Sequence, residues 1–160
     1  MMTSVADTAV RKTVHINASL EHAFKVYTES MDTWWPRSHH IGKSPMTRAI
    51  LECRAGGRCY SEQEDGTECD WARILVWDPP RRLVMAWQIT HEWGYEPDLA
   101  KASEVEVTFT RDGGGTRVDL EHRHFERHGA GGAAMRTAVD SPGGWSGLLK
   151  LFAEAAERPS

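Results

Sequence analysis

Cysteine is scarce in this chain: Cys53, Cys59 and Cys69 are the only three among 160 residues. The number is odd and the C-x-x-C spacing of zinc and redox sites is missing, so they read as reduced structural thiols. Long apolar runs are lacking too. No stretch approaches the roughly 18 consecutive apolar residues of a membrane span, and no basic segment followed by an apolar run opens the chain, so no membrane partner is expected and the cytoplasm is the expected address. Lys and Arg are scattered and the formal net charge is −4, which leaves no electrostatic footprint for nucleic acid. The chain contains no G-x-S-x-G elbow, no P-loop, no G-x-G-x-x-G after a strand and no H-E-x-x-H, so neither a cofactor nor a metal is expected.

What is present is a sheet with an aromatic lining. Forty per cent hydrophobic residues, seven prolines and seven tryptophans fit one globular domain over residues 10–157 after a flexible N-terminus, 1–9. Trp71 to Ile89 reads as two strands around Asp78-Pro79-Pro80, because proline fixes φ and lacks a ladder donor. On the second limb Leu83, Met85, Trp87 and Ile89 alternate onto one face. Ser103 to Arg111 and Thr116 to Phe125 alternate around the Asp112-Gly113-Gly114-Gly115 turn. Their apolar set, with His122 and His124, lies opposite Glu104, Glu106, Asp119 and Glu121 on the wet face.

A first strand is predicted from Val10 to Asn17, then a helix capped by Ser19 with Ala23, Phe24, Tyr27 and Met31 at helical spacing, ending at Trp34-Trp35-Pro36. Arg37 to Pro45 is a loop. Further strands are expected at about 46–53, 57–63, 68–77 and 81–91. After a flexible segment at 128–132 and a short helix at 133–140, Trp145, Leu148, Leu149, Phe152, Ala153 and Ala156 form the buried stripe of a C-terminal helix. Strand, helix, six strands and a final helix argue an α+β fold with helices over one face of an antiparallel sheet, and a hollow between them.

The segments V-H-I-N-A-S-L-E-H-A-F, Trp34-Trp35, G-G-R-C-Y, W-D-P-P-R-R-L-V-M-A-W, G-G-G-T-R-V-D-L-E-H and S-P-G-G-W-S-G-L-L-K-L-F together resemble the SRPBCC, or START-like, superfamily. Within it they are most similar to the branch of the activator of the heat-shock-protein-90 ATPase, in its stand-alone bacterial form. The resemblance implies a helix-grip fold, a curved antiparallel sheet wrapped around a long C-terminal helix. Eukaryotic activators also carry an N-terminal domain that grips the chaperone, for which this sequence has no room, so a chaperone partner is not expected.

The expected function is binding of a hydrophobic or aromatic small molecule between sheet and helix. The candidate lining is Trp35, Trp71, Met85, Trp87, Phe109, Leu120, His122, His124 and Trp145, with His122, a position where the family often shows histidine, as polar anchor. Two alternatives remain: a cyclase or hydrolase that uses His122, and a chaperone cofactor. Of Trp34 and Trp35, one is expected to plug the core and the other to reach the pocket mouth, while His39 and His40 read as solvated loop residues. Arg58, Arg73 and Arg82 are expected to be structural or surface residues, with stems over apolar surface and heads in water. A homodimer is left open.

Overall fold

A computed structural model describes residues 8–158, so most of the segment 1–9 expected to be flexible lies outside the described residues. Seven strands form one antiparallel sheet in the order β1-β7-β6-β5-β4-β3-β2. They are β1 (Val10–Ile16), β2 (Met46–Leu51), β3 (Arg58–Gln63), β4 (Glu68–Asp78), β5 (Arg82–Trp87), β6 (Ser103–Asp112) and β7 (Gly115–Arg123). The sheet curls around helix α1 (Leu20–Thr28) and the C-terminal helix α3 (Gly147–Ala156), which is preceded by α2 (Gly132–Asp140). This is the α+β helix-grip architecture. Among the described residues no helix is long and apolar enough to cross a membrane.

Alternation explains the layering. On β6 Val105, Val107 and Phe109, and on β7 Val118, Leu120 and His122, turn inward and are buried. The opposite residues build an ion-pair lattice on the convex face: Arg123 reaches Glu104, Glu106 and Glu121 at 3.2, 2.6 and 2.9 Å. Arg82 pairs with the same Glu106, and the two arginines hold its carboxyl below the usual carboxylate range against the opposing effect of burial. Arg58 binds Asp70 at 2.6 Å and lies 4.0 Å over the Tyr60 ring. Arg73 differs, because its Nε is buried without a hydrogen-bond partner among the described residues.

Helix α1 begins as its cap predicts, with the His22 N–H donating to Ser19 Oγ at 3.2 Å. Its Phe24 and Tyr27 pack on Phe109 at centroid distances of 5.1 and 5.9 Å, and Phe152 from α3 meets Tyr27 at 5.1 Å. These rings fill one end of the hollow. The other end is shaped by two departures from regular structure. Between Cys59 and Tyr60 on β3, β4 carries an extra residue, Trp71, so Trp71 and Ala72 are consecutive and both buried. Before α3, residues Pro142–Ser146 form a wide π turn that carries Trp145. Of the cysteines only Cys59 is buried, its Sγ 3.9 Å from Met85 Sδ, while Cys53 is exposed.

Candidate functional site

At the open end of the hollow lies a cavity of about 390 Å³ between the loop after Trp35, Trp71 of β4 and Trp87 of β5, the 88–96 loop, the end of α2 and the π turn. Four buried tryptophans line it: Trp35, Trp71, Trp87 and Trp145. Trp35 and Trp71 stack face to face at 4.7 Å with 18° between their planes, so each indole covers a face of the other. Trp87 stands edge-on to Trp71 at 5.7 Å and to Trp145 at 5.5 Å. All four indoles of the wall are held by these ring contacts, which add to the stabilisation from their burial. Trp34 takes the other direction, donating its Nε1–H to the Val26 carbonyl at 3.0 Å inside the core.

The polar part of the wall comes from the loop. Trp35 Nε1–H donates to the His39 carbonyl at 2.9 Å, which folds the loop back over the indole. His39 Nε2 lies 3.0 Å from the Gly143 carbonyl oxygen, so the proton sits on Nε2 and Nδ1 accepts from Ser38 Oγ at 3.1 Å. Ser38, His39, His40 and Gly143 all line the cavity, and His40 Nδ1 and Trp87 Nε1 are buried without a hydrogen-bond partner among the described residues. Among the described residues no group of three or more His, Cys, Asp or Glu is placed to hold a metal ion.

Of the nine residues expected in the lining, the cavity wall contains the four tryptophans and not Met85, Phe109, Leu120, His122 or His124. Met85, Phe109 and Leu120 are fully buried, and the aromatic groups of α1 and α3 occupy the space in front of Phe109. His122 sits behind the wall. Its Nδ1 accepts from Trp145 Nε1–H at 3.0 Å, which places its own proton on Nε2 toward Ser103 Oγ at 2.8 Å. Ser103 Oγ in turn lies 2.7 Å from His128 Nε2. Burial, with a smaller contribution from His128, pushes the His122 pKa down to about 3, so its ring is neutral and a permanent acceptor for Trp145. His124 is not a neighbour of His122 on the inner face: β7 ends at Arg123, and His124 turns to φ 66°, swinging its ring out toward Glu126 at 3.4 Å.

Sequence reasoning did not single out Trp93 or the α2 residues Ala138 and Val139 as part of the wall. His39, exposed, and His40, half-buried, both line the cavity from the loop that follows the tryptophan pair. Trp93 lines the mouth with 53% of its surface exposed. Its backbone sits at φ 62°, a left-handed conformation that costs a bulky residue about 1–3 kcal/mol. Gly144 gives the π turn its close approach: a Cβ there would lie 2.2 Å from the Val139 carbonyl oxygen. Gly144→Ala is therefore expected to lower stability by roughly 1–3 kcal/mol, and calorimetry finding an unchanged melting temperature would show that the turn has slack.

Residues 17–157 match the family described as Activator of Hsp90 ATPase homolog 1-like protein. The chain belongs to this family. No curated protein matches the sequence. Among solved structures, Txn09, an anthrahydroquino-gamma-pyrone synthase, is 44% identical, with 92% of this chain and 96% of that chain covered and a TM-score of 0.65. CalC from Micromonospora echinospora, a self-sacrificing resistance protein, is 31% identical with 94% of each chain covered and a TM-score of 0.65. The Nitrosomonas europaea protein NE0264 shares the fold at 15% identity, a TM-score of 0.66, and coverage of 96% of this chain and 97% of that one.

Proposed function

We propose that this protein binds a flat aromatic small molecule in the four-tryptophan cavity. The observation that carries the reading is the wall itself: a stacked Trp35–Trp71 pair with Trp87 inclined at 69° to Trp71 and Trp145 at 68° to Trp35, around about 390 Å³ of space. That volume lies at the small end of the range for pockets that bury drug-sized ligands. Faces of fixed indoles favour π systems over flexible aliphatic chains, because stacking adds to burial and a rigid ligand loses little entropy. The unpartnered Trp87 indole N–H is a donor that a ligand carbonyl or phenolic oxygen would satisfy. The name of Txn09 points to the same class, a fused-ring oxygenated aromatic.

A second reading, a ring-closing enzyme, is favoured by the 44% identity to a protein named as a synthase. In that case the groups in contact with substrate would be Ser38 and His39, whose hydroxyl and imidazole are already joined. His122 would act only by holding Trp145.

The test is quenching of tryptophan fluorescence by 1,8-dihydroxyanthraquinone. Saturable one-to-one quenching is expected, and it should disappear in Ala138→Trp, which fills the cavity from the half-buried α2 side. Absence of saturation, or equal quenching in the filled variant, would contradict the reading.

A further inference from the structure

The loop that carries Trp93 is a hairpin closed at its base. Thr90 N–H donates to the Gly94 carbonyl at 2.8 Å, Gly94 N–H to Thr90 Oγ1 at 3.0 Å, and Trp93 N–H to the Thr90 carbonyl at 2.9 Å. Beyond it Ile89 bridges Tyr95. His91, Glu92 and Trp93 thus form a three-residue hairpin loop whose last member is left-handed, the slot where glycine is the usual occupant. A glycine stands one residue later, at Gly94, yet the slot itself holds a tryptophan.

Among the described residues the Trp93 ring has no aromatic partner and its indole N–H no acceptor, and it is the most exposed large apolar side chain. The base of the loop is secured separately, by His91, which packs so closely on Gly131 that a Cβ there would fall 2.0 Å from His91 Nδ1. The loop is therefore anchored at His91 while Trp93 is left free over the mouth of a cavity whose other indoles are all immobilised.

We propose that Trp93 is a ligand-binding residue, the outer jaw that stacks on the exposed face of a flat fused-ring ligand whose inner part rests among Trp35, Trp71, Trp87 and Trp145. This rests on the reading of the cavity as an aromatic-ligand site, and it narrows the ligand to one that is flat and reaches the mouth. A compact ligand held deep among the inner indoles would not meet Trp93 at all. The left-handed backbone aims the ring, and ligand contact replaces the packing that the free protein lacks.

The experiment measures the Kd of 1,8-dihydroxyanthraquinone and the melting temperature of the unliganded protein for wild type, Trp93→Gly, Trp93→Phe and Tyr95→Ala. Trp93→Gly should weaken binding roughly tenfold, the order expected for losing one aromatic face, while the melting temperature stays level or rises by ~2–4 °C because glycine takes positive φ freely. Trp93→Phe should retain most of the affinity, and Tyr95→Ala, outside the wall, all of it. If Trp93→Gly binds as wild type, Trp93 is no jaw. A fall in melting temperature alongside affinity would make the residue structural, and equal weakening by Tyr95→Ala would assign the effect to the loop. Failure of wild type to bind would overturn the cavity reading and this inference together; binding by wild type with an unaffected Trp93→Gly overturns this inference alone.

Discussion

Deleting residues 143–160 is expected to leave a chain that no longer melts cooperatively and that binds apolar dyes. The deletion removes Trp145 together with Leu148, Leu149 and Phe152, all buried against the sheet, and burying each such side chain is worth about 1.5–3 kcal/mol. Their sum is comparable with the ~5–15 kcal/mol net stability of a whole domain. The concave face would be opened, and a large apolar surface of that kind promotes aggregation. A milder version, Phe152→Ala, should cost about 3–5 kcal/mol, since the ring touches Tyr27, Trp34 and Phe109 at once. A soluble truncated protein with a sharp thermal transition would show that α1 alone covers the sheet.

The second large effect is acid destabilisation through His122. In the unfolded chain its imidazole takes up a proton as pH falls through about 6.5, but in the folded protein only near 3. Between those values the unfolded state holds the extra proton, so stability falls with falling pH by up to ~1.4 kcal/mol per unit. From pH 6.5 to 4.5 this amounts to about 2 kcal/mol. His128, also depressed by burial and by His91, adds in the same direction. In His122→Gln most of the slope should vanish, and at pH 7.5 the variant should be about 2–4 kcal/mol less stable because the Trp145 donor and Ser103 lose a buried partner. Denaturant melts from pH 7.5 to 4.5 decide it, and an unchanged slope would mean that His122 can be reached by water and charged in place.

The contrast between His122 and His124 shows where sequence stops being legible. Period-two alternation placed His122 inward correctly, because every residue before it on β7 keeps the pleat. It failed one step after the strand ended, since a single left-handed residue reverses a side chain and leaves no trace in composition. The element order, the strand pairs and the α3 stripe were readable because burial imposes periods of 2 and 3.6 along the chain. The extent of the cavity was not. Met85, Phe109 and Leu120 lie on the correct face, but whether that face is hollow or filled depends on how far Phe24, Tyr27 and Phe152 reach, a packing outcome among residues more than a hundred positions apart. Trp71 and Trp93 owe their places to a bulge and to a strained turn, both local exceptions to the rules that made the rest predictable.

A crystal structure of the protein with 1,8-dihydroxyanthraquinone tests the central claim most directly. The ring system is expected inside the cavity, among the Trp35–Trp71 pair, Trp87 and Trp145, with its outer face under Trp93 and its oxygenated edge within hydrogen-bonding distance of the wall's polar groups. A ligand bound on the convex face, or a cavity that remains closed while the ligand sits elsewhere, would contradict that claim.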